Sequence, residues 1–236
     1  MTQVKLGDKN IPFIYQGNEL LYPNPVKDGL VLWYDFKGMK NSDTSKNVAR
    51  DLSGKGNNGT LRNFNYTSES GYDDGLKFDG VDDVISDVLN TGTTPLDASN
   101  MAISMVLDSA KIQKSQYFIQ VTLSDDKFIL LYRGSIDKLG YFTTSKENKY
   151  SNFIPETNEK FLFTLNINNK QVDLRVNNEK FEIFEDTDLK NVKRISVGNI
   201  QSPYNGTMNS IKIYNRALTD QEIQHNYKLE KERWGL

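Results

Sequence analysis

Apolar and polar residues alternate along much of this chain. Phe161, Phe163, Leu165 and Ile167 share one parity, and Leu162, Thr164 and Asn166 the other. Val172, Leu174 and Val176 then alternate with Gln171, Asp173 and Arg175. Successive side chains of a strand point to opposite faces, so each run predicts a half-buried strand. Asn168-Asn169-Lys170 between them predicts a hairpin turn. The same period predicts strands at 30–36, 101–107, 117–123, 128–133, 180–184, 194–197 and 208–214. Asp125-Asp126, Asn177-Asn178 and Asn205-Gly206 supply turn residues between them. Many short strands with Asn and Gly at the corners predict an all-β fold, an antiparallel jelly-roll sandwich.

One short C-terminal helix interrupts this pattern. Thr219-Asp220-Gln221-Glu222 has the form of a capping box, with Leu218 and Ile223 at the staple positions. Asp220 and Glu222 suit the positive end of the helix dipole. Ile223 and Tyr227, four apart, form the stripe expected to dock on the sandwich, and His225 falls off it, at the surface. The mixed charges from Lys228 to Arg233 read as a solvated helix end. At the other end, residues 12–16 and 19–22 flank Gly17-Asn18, a spacing that suits a β-hairpin with a type II′ turn. Tyr22-Pro23-Asn24-Pro25 follows as a stiff, extended connector. Residues 1–25 are therefore read as an N-terminal hairpin and 26–236 as the sandwich. The hairpin is either an edge of the same domain or a tether to a partner.

Composition narrows the chemistry. The chain has 236 residues, 37% of them hydrophobic, enough to build a core. Its 29 Lys and Arg against 31 Asp and Glu leave a net charge of −2, so bulk charge does not draw it to nucleic acid or anionic lipid. It contains no Cys, which excludes disulfides, thiolate metal sites and thiol nucleophiles. Its single His, His225, is read as excluding both a His-based triad and a multi-His zinc site. No signal peptide and no membrane span are expected.

Three segments carry a family resemblance. One is Gly29-Leu-Val-Leu-Trp-Tyr-Asp-Phe36 with Asp51-Leu-Ser-Gly-Lys-Gly-Asn-Asn-Gly-Thr60. The second is Gly75-Leu-Lys-Phe-Asp-Gly-Val-Asp-Asp-Val-Ile85. The third is Val197-Gly-Asn199 with Gly206-Thr-Met-Asn-Ser-Ile-Lys-Ile-Tyr-Asn-Arg-Ala-Leu-Thr-Asp-Gln-Glu-Ile223. Their order and spacing resemble the concanavalin A-like lectin/glucanase superfamily, in its laminin-G-like branch. The resemblance implies a jelly-roll sandwich that usually serves binding. The hairpin segment Phe13-Ile-Tyr-Gln-Gly-Asn-Glu-Leu-Leu-Tyr22, joined to such a domain, is similar to tail-associated proteins of phages of Gram-positive bacteria. That implies a virion protein of tail, fibre or baseplate, made in the host cytoplasm and released by lysis. Residues 1–25 would dock on other virion proteins, and the lectin-like domain would bind host cell-wall polysaccharide. A fibre-like role implies a trimer, although no heptad stalk is present to enforce it.

Candidate site residues follow. Trp33 and Asp35 share one strand face, and Trp33 reads as core. A buried Asp35 carboxylate needs donors or a cation. Either amides of the 51–59 loop answer it, or loop oxygens gather around Ca²⁺. The resemblance implies calcium near such loops, giving Asp35, Asp51 and Asn209 as the ligand set. Asn209 stands where relatives often carry an acid, which removes a charge. For catalysis, the strand Phe181-Glu-Ile-Phe-Glu-Asp186 lacks a second carboxylate on the face of Glu182. Asp73-Asp74, Asp82-Asp83 and Asp125-Asp126 read as solvated corners. The chain is therefore expected not to be an enzyme. Sugar recognition needs an exposed aromatic face with amides beside it. Tyr204 and Asn205, with Tyr66, Tyr72 and Tyr150 in other turn-rich stretches, are the candidates. The rival readings are a structural virion spacer or decoration protein that makes only protein contacts, and a polysaccharide hydrolase.

Overall fold

The alternating runs pair into antiparallel ladders. The computed structural model describes residues 5–6, 9–11, 13–16, 19–89, 95–108, 115–144 and 146–236. Short strands open the chain: β1 (Lys5–Leu6), β2 (Lys9–Asn10), β3 (Ile14–Gln16) and β4 (Glu19–Tyr22). Next come β5 (Leu30–Asp35), β6 (Val48–Ala49), β7 (Gly59–Arg62), β8 (Gly71–Tyr72), β9 (Leu76–Asp79) and β10 (Val84–Ser86). The middle of the chain gives β11 (Met101–Leu107), β12 (Gln116–Leu123), β13 (Phe128–Arg133), β14 (Leu139–Thr143) and β15 (Lys146–Tyr150). The chain finishes with β16 (Phe161–Asn168), β17 (Gln171–Val176), β18 (Glu179–Glu185), β19 (Val192–Val197), β20 (Asn205–Tyr214) and α1 (Asp220–Trp234).

Two eight-stranded sheets result. The front sheet runs β15-β14-β13-β12-β19-β10-β7-β6. The back sheet runs β18-β17-β16-β11-β20-β9-β8, and β5 also pairs with β20. Leu32, Tyr34, Phe78, Ile103, Met105, Phe118, Val121, Leu131, Phe163 and Ile211 fill one core cluster and are fully buried. Each such side chain contributes about 1.5–3 kcal/mol by leaving water. An antiparallel sandwich is thus the architecture, as the alternation implies.

Local chemistry sets the tight hairpins. Asn169 and Lys170 have φ of 48° and 70°, and Asn177 and Asn178 have φ of 49° and 70°. Two successive positive-φ residues match the right-handed twist of the flanking strands. Asn205-Gly206, in contrast, is not a turn. It opens β20, where Asn205 pairs with Asp79 and Gly206 with Phe78. Ladder pairing with β9 overrides the local turn preference.

The helix covers the outer face of the back sheet. Thr219 Oγ1 accepts from Glu222 N–H at 3.3 Å, and Thr219 N–H donates to Glu222 Oε2 at 2.9 Å, the reciprocal cap its sequence implies. Leu30, Trp33, Ala102 and Tyr214 pack under Leu218 and Ile223, while Val106 and Leu162 pack under Trp234. Trp33 is buried, but beneath the helix rather than between the sheets. The end of the helix is not solvated as its charges suggested. Glu230, Arg233 and Trp234 are buried, because the 3.6-residue period carries them onto the face of Ile223. Glu230 pairs with Lys212, and Arg233 with Asp35. Burial pulls the Lys212 ammonium down to about 7, with the charge of Asp35 opposing the fall. Asn226 donates to Tyr214 Oη at 3.0 Å, and His225 stays exposed with Nε2 2.8 Å from the Asn24 carbonyl.

β3 and β4 pair as a two-stranded sheet separate from both large ones. Pro12 and the Gly17-Asn18 turn lie outside the described residues. Phe13 packs on the cluster beneath the helix, and the Arg233 guanidinium lies 4.9 Å from its ring centre. The hairpin therefore sits on the helix side of the sandwich. Among the described residues, no helix is long and apolar enough to cross a membrane.

Candidate functional site

Among the described residues, no helix lies over the outer face of the front sheet. β13 is the unusual strand there. Ile129 and Leu131 point into the core, yet Phe128, Leu130 and Tyr132 on the opposite parity are also large and apolar. A sheet face meant only for water alternates to polar residues. β12 contributes through a bulge. Its register against β13 shifts between Tyr117 and Ile119, so Phe118 and Ile119 both join the core. The extra residue leaves Tyr117 and Gln120 together on the outer face.

These residues line a groove of about 420 Å³ with Phe142, Asn148, Tyr150, Asn199 and Gln201. Tyr117, Tyr132 and Tyr150 form a row across three strands. The ring centroids of Tyr117 and Tyr132 are 5.9 Å apart at 76°, and those of Tyr132 and Tyr150 are 6.0 Å apart at 73°. Edge-to-face packing on both sides fixes the central ring. Gly140 makes room for it: a Cβ there would come within 2.7 Å of Tyr132 Cζ. The Tyr132 hydroxyl donates to Asn148 Oδ1 at 3.0 Å. Burial pushes its ionisation well above the usual phenol range, with Tyr150 adding to the effect, so it stays neutral. Phe128 and Phe142 pair at 5.9 Å further along the floor.

Amides edge the aromatics. Asn199 Nδ2 donates to Gln120 Oε1 at 3.0 Å, and Asn199 Oδ1 accepts from the Gln201 and Ser202 N–H groups at 2.7 and 3.0 Å. The loop thus holds Asn199 rigidly while Gln120 keeps its amide NH₂ to offer. A second depression of about 330 Å³ shares Gln120, Asn199 and Gln201 and continues toward Ser86, Arg194 and Ser196. Tyr132 is buried, and the half-buried rings of Tyr117 and Tyr150 on either side of it, beside fixed amides, can take the apolar side of a sugar and hydrogen-bond its hydroxyls.

Of the residues singled out from sequence, Tyr150 lies in this groove. Tyr204 does not. It is 1% exposed, packed 5.1 Å from Phe78 and 5.3 Å from Phe118, with its hydroxyl between the carbonyls of Asp108 and Thr207. Its expected turn is the start of β20, and the strand carries the ring inward. Asn205 N–H donates to Gln116 Oε1 at 2.8 Å, and its side chain packs over Gly80. Tyr72 is buried with its hydroxyl donating to the Lys46 carbonyl at 2.7 Å. Tyr66 stacks on Tyr72 at 6.3 Å beneath the Lys46 ammonium. Those two tyrosines serve packing at a different place. Tyr117, Tyr132, Gln120 and Asn199 were missed as a site, and the doubly apolar β13 was the signal for it.

Asp35, Asp51 and Asn209 do not offer a shared ligand set. Arg233 grips Asp35. Asp51 accepts from the N–H groups of Trp33, Ser53 and Asn57 and from Ser53 Oγ, all within 3.0 Å. Asn209 turns its NH₂ to the Asp74 carbonyl at 2.7 Å. Loop amides do satisfy a buried carboxylate, but it is Asp51 and not Asp35. A hard cation needs several free oxygens; both carboxylates are engaged by donors, and only Asn209 Oδ1 is left without a partner. Asp79, Asp82 and Asp83 converge instead, with carboxylate oxygens within 4.8 Å of one another, and could hold a metal. Asp83 is not the solvated corner expected. It is 2% exposed and accepts from Ser70 Oγ and Asp79 N–H, and burial raises its carboxyl to about 6.

No family model matches the chain, and no curated protein matches it. Solved structures do. The Trypanosoma rangeli sialidase superposes with a TM-score of 0.63 at 14% identity, over 86% of this chain and 33% of that one. The same enzyme in complex with sialic acid gives 0.63 at 13% identity over the same shares. The ligand-binding domain of botulinum neurotoxin serotype D, in complex with N-acetylneuraminic acid, gives 0.62 at 17% over 86% and 51%. Such likeness shows a β-sandwich fold. The chain spans about a third of the sialidase chain. The expectation that the protein is not an enzyme is corrected here, since sialidases are enzymes that contain this fold.

Proposed function

We propose that this protein binds a carbohydrate chain in the groove on the outer face of the front sheet. The observation that carries this reading is the edge-to-face row of Tyr117, Tyr132 and Tyr150 beside the amides of Gln120, Asn148 and Asn199. The rings are locked by one another and by Gly140, so little side-chain entropy is lost on binding. Two of the similar folds hold sialic acids in their solved complexes, which supports a sugar ligand. We take the laminin-G-like branch and the phage tail as the setting, with host cell-wall polysaccharide as the ligand and the virion as the location. Phe13 and the β3–β4 pair lie on the helix side, opposite the groove. Docking of residues 1–25 on another virion protein would leave the groove facing outward.

The direct test is binding of the purified chain to cell-wall polysaccharide fractions and to a panel of oligosaccharides. Binding that Tyr150→Ala weakens without lowering the melting temperature is expected. Absence of binding to every wall fraction and every oligosaccharide would overturn the reading. For the setting, a virion assembled with residues 1–24 deleted should lack this protein while the sandwich still folds. Unchanged incorporation would remove the tether role.

A further inference from the structure

We infer that the groove takes an extended acidic glycan, several sugars long, which runs across the strands from the tyrosine row to Arg194. The inference rests on the carbohydrate reading above and adds the ligand's length and charge. The length comes from topology. The tyrosine row begins on β15, and Arg194 stands on β19, four strand positions away in the front sheet. At ~4.8 Å per strand that is roughly 19 Å, far more than one sugar ring covers. Gln120, Asn199 and Gln201 line both depressions, so the two halves form one path.

The charge comes from Arg194. It sits on β19 opposite Thr122, is exposed, and lines the far half of the path. Among the described residues its guanidinium has no hydrogen bond or ion pair. Neighbouring cations are already compensated. Lys193 holds Asp126 at 2.5 Å, and Arg62 holds Ser86 Oγ at 2.7 Å and Asp87 at 3.4 Å. Asp126, the acid at that end, is thereby taken. A free planar fork at the end of a sugar path matches a carboxylate or phosphate group and offers nothing comparable to a neutral hydroxyl.

The experiment compares three probes on the full chain by calorimetry at low and high salt: oligogalacturonates of increasing length, poly(glycerol phosphate), and neutral cello-oligosaccharides. At least one acidic polymer should bind more tightly than the neutral series, with affinity rising with length. Arg194→Gln should reduce that preference roughly threefold to tenfold. High salt should do the same, and the neutral series should be unaffected by either. Tyr150→Ala should weaken all ligands. A stronger response to oligogalacturonate assigns a uronic-type carboxylate, and to poly(glycerol phosphate) a phosphodiester. If neutral and acidic ligands bind equally, or Arg194→Gln leaves their ratio unchanged, the inference falls and the carbohydrate reading stands. If affinity does not grow with length, the extended path falls. If no probe binds and wall fractions do not bind either, both fall.

Discussion

Arg233 holds Asp35 through two hydrogen bonds, Nε to Oδ2 at 2.9 Å and Nη2 to Oδ1 at 3.0 Å, across 198 residues of chain. The two side chains are 2% and 0% exposed, so the bond fixes the last turn of α1 to the end of β5. Lys212 and Glu230 form a second buried pair beside it. A buried charge stripped of its partner is costly, whereas an apolar pair of similar volume is tolerated. Asp35→Ala should therefore destabilise the fold by about 3–5 kcal/mol, and the double replacement Asp35→Leu with Arg233→Met should recover most of that loss. Urea midpoints of the three proteins decide the matter. A single mutant as stable as the parent would show that the pair does not anchor the helix.

Tyr132 depends on Gly140 in a different way. A methyl group at 140 meets the ring at 2.7 Å, so Gly140→Ala must push Tyr132 out of its row. Overpacking of this kind costs about 1–3 kcal/mol. The variant should also bind glycan more weakly, because Tyr117 and Tyr150 lose the ring between them. Calorimetric titration with the ligand found for the parent measures it, and unaltered affinity would separate the row from binding.

Two tyrosines should respond oppositely. Tyr150→Ala removes a half-buried wall of the groove and should cost about tenfold in glycan affinity with little change in melting temperature. Tyr204→Phe leaves buried carbonyls of Asp108 and Thr207 short of a donor and should cost about 1–2 kcal/mol of stability with no change in affinity. A loss of sugar binding in Tyr204→Phe would return that residue to the ligand site.

Asp83 makes stability depend on pH. Burial raises its carboxyl to about 6, with the charges of Asp79 and Asp82 adding to the rise and the hydrogen bonds from Asp79 N–H and Ser70 Oγ opposing it. Between about pH 4 and pH 6 the folded chain keeps a proton that the unfolded chain has released. Stability from this group should therefore fall as pH rises through that window and level off above it. Asp83→Asn should remove the slope, whatever it does to absolute stability. Denaturation midpoints across the window test this, and parallel curves for the two proteins would refute it.

Much of the fold was legible because strands, caps and tight turns are local. Met101–Leu107 and Phe128–Arg133 emerge with the bounds their alternation implies. Thr219 and Glu222 cap the helix as their spacing requires, and Asn177-Asn178 turns because Asn tolerates positive φ. Asn205-Gly206 looked equally like a turn, but pairing with β9 drew it into a strand. The groove was harder to read. Tyr117 and Gln120 share a face only because a bulge at Phe118 reverses the parity between them, and their partners come from distant chain, as with Asn199, 82 residues beyond Tyr117.

Alternation by itself settled which side chains of a regular, unbulged strand share a face, since that follows from the two-residue period. It could not settle what happens on the two outer faces. Trp33 and Tyr117 both point away from the gap and look alike as large aromatics in a strand. One disappears beneath α1, held there by Arg233 and Glu230, and the other stays open beside Gln120. Whether an outward ring is core or binding surface depends on what the rest of the chain lays over it, and only the packing of distant elements decides that.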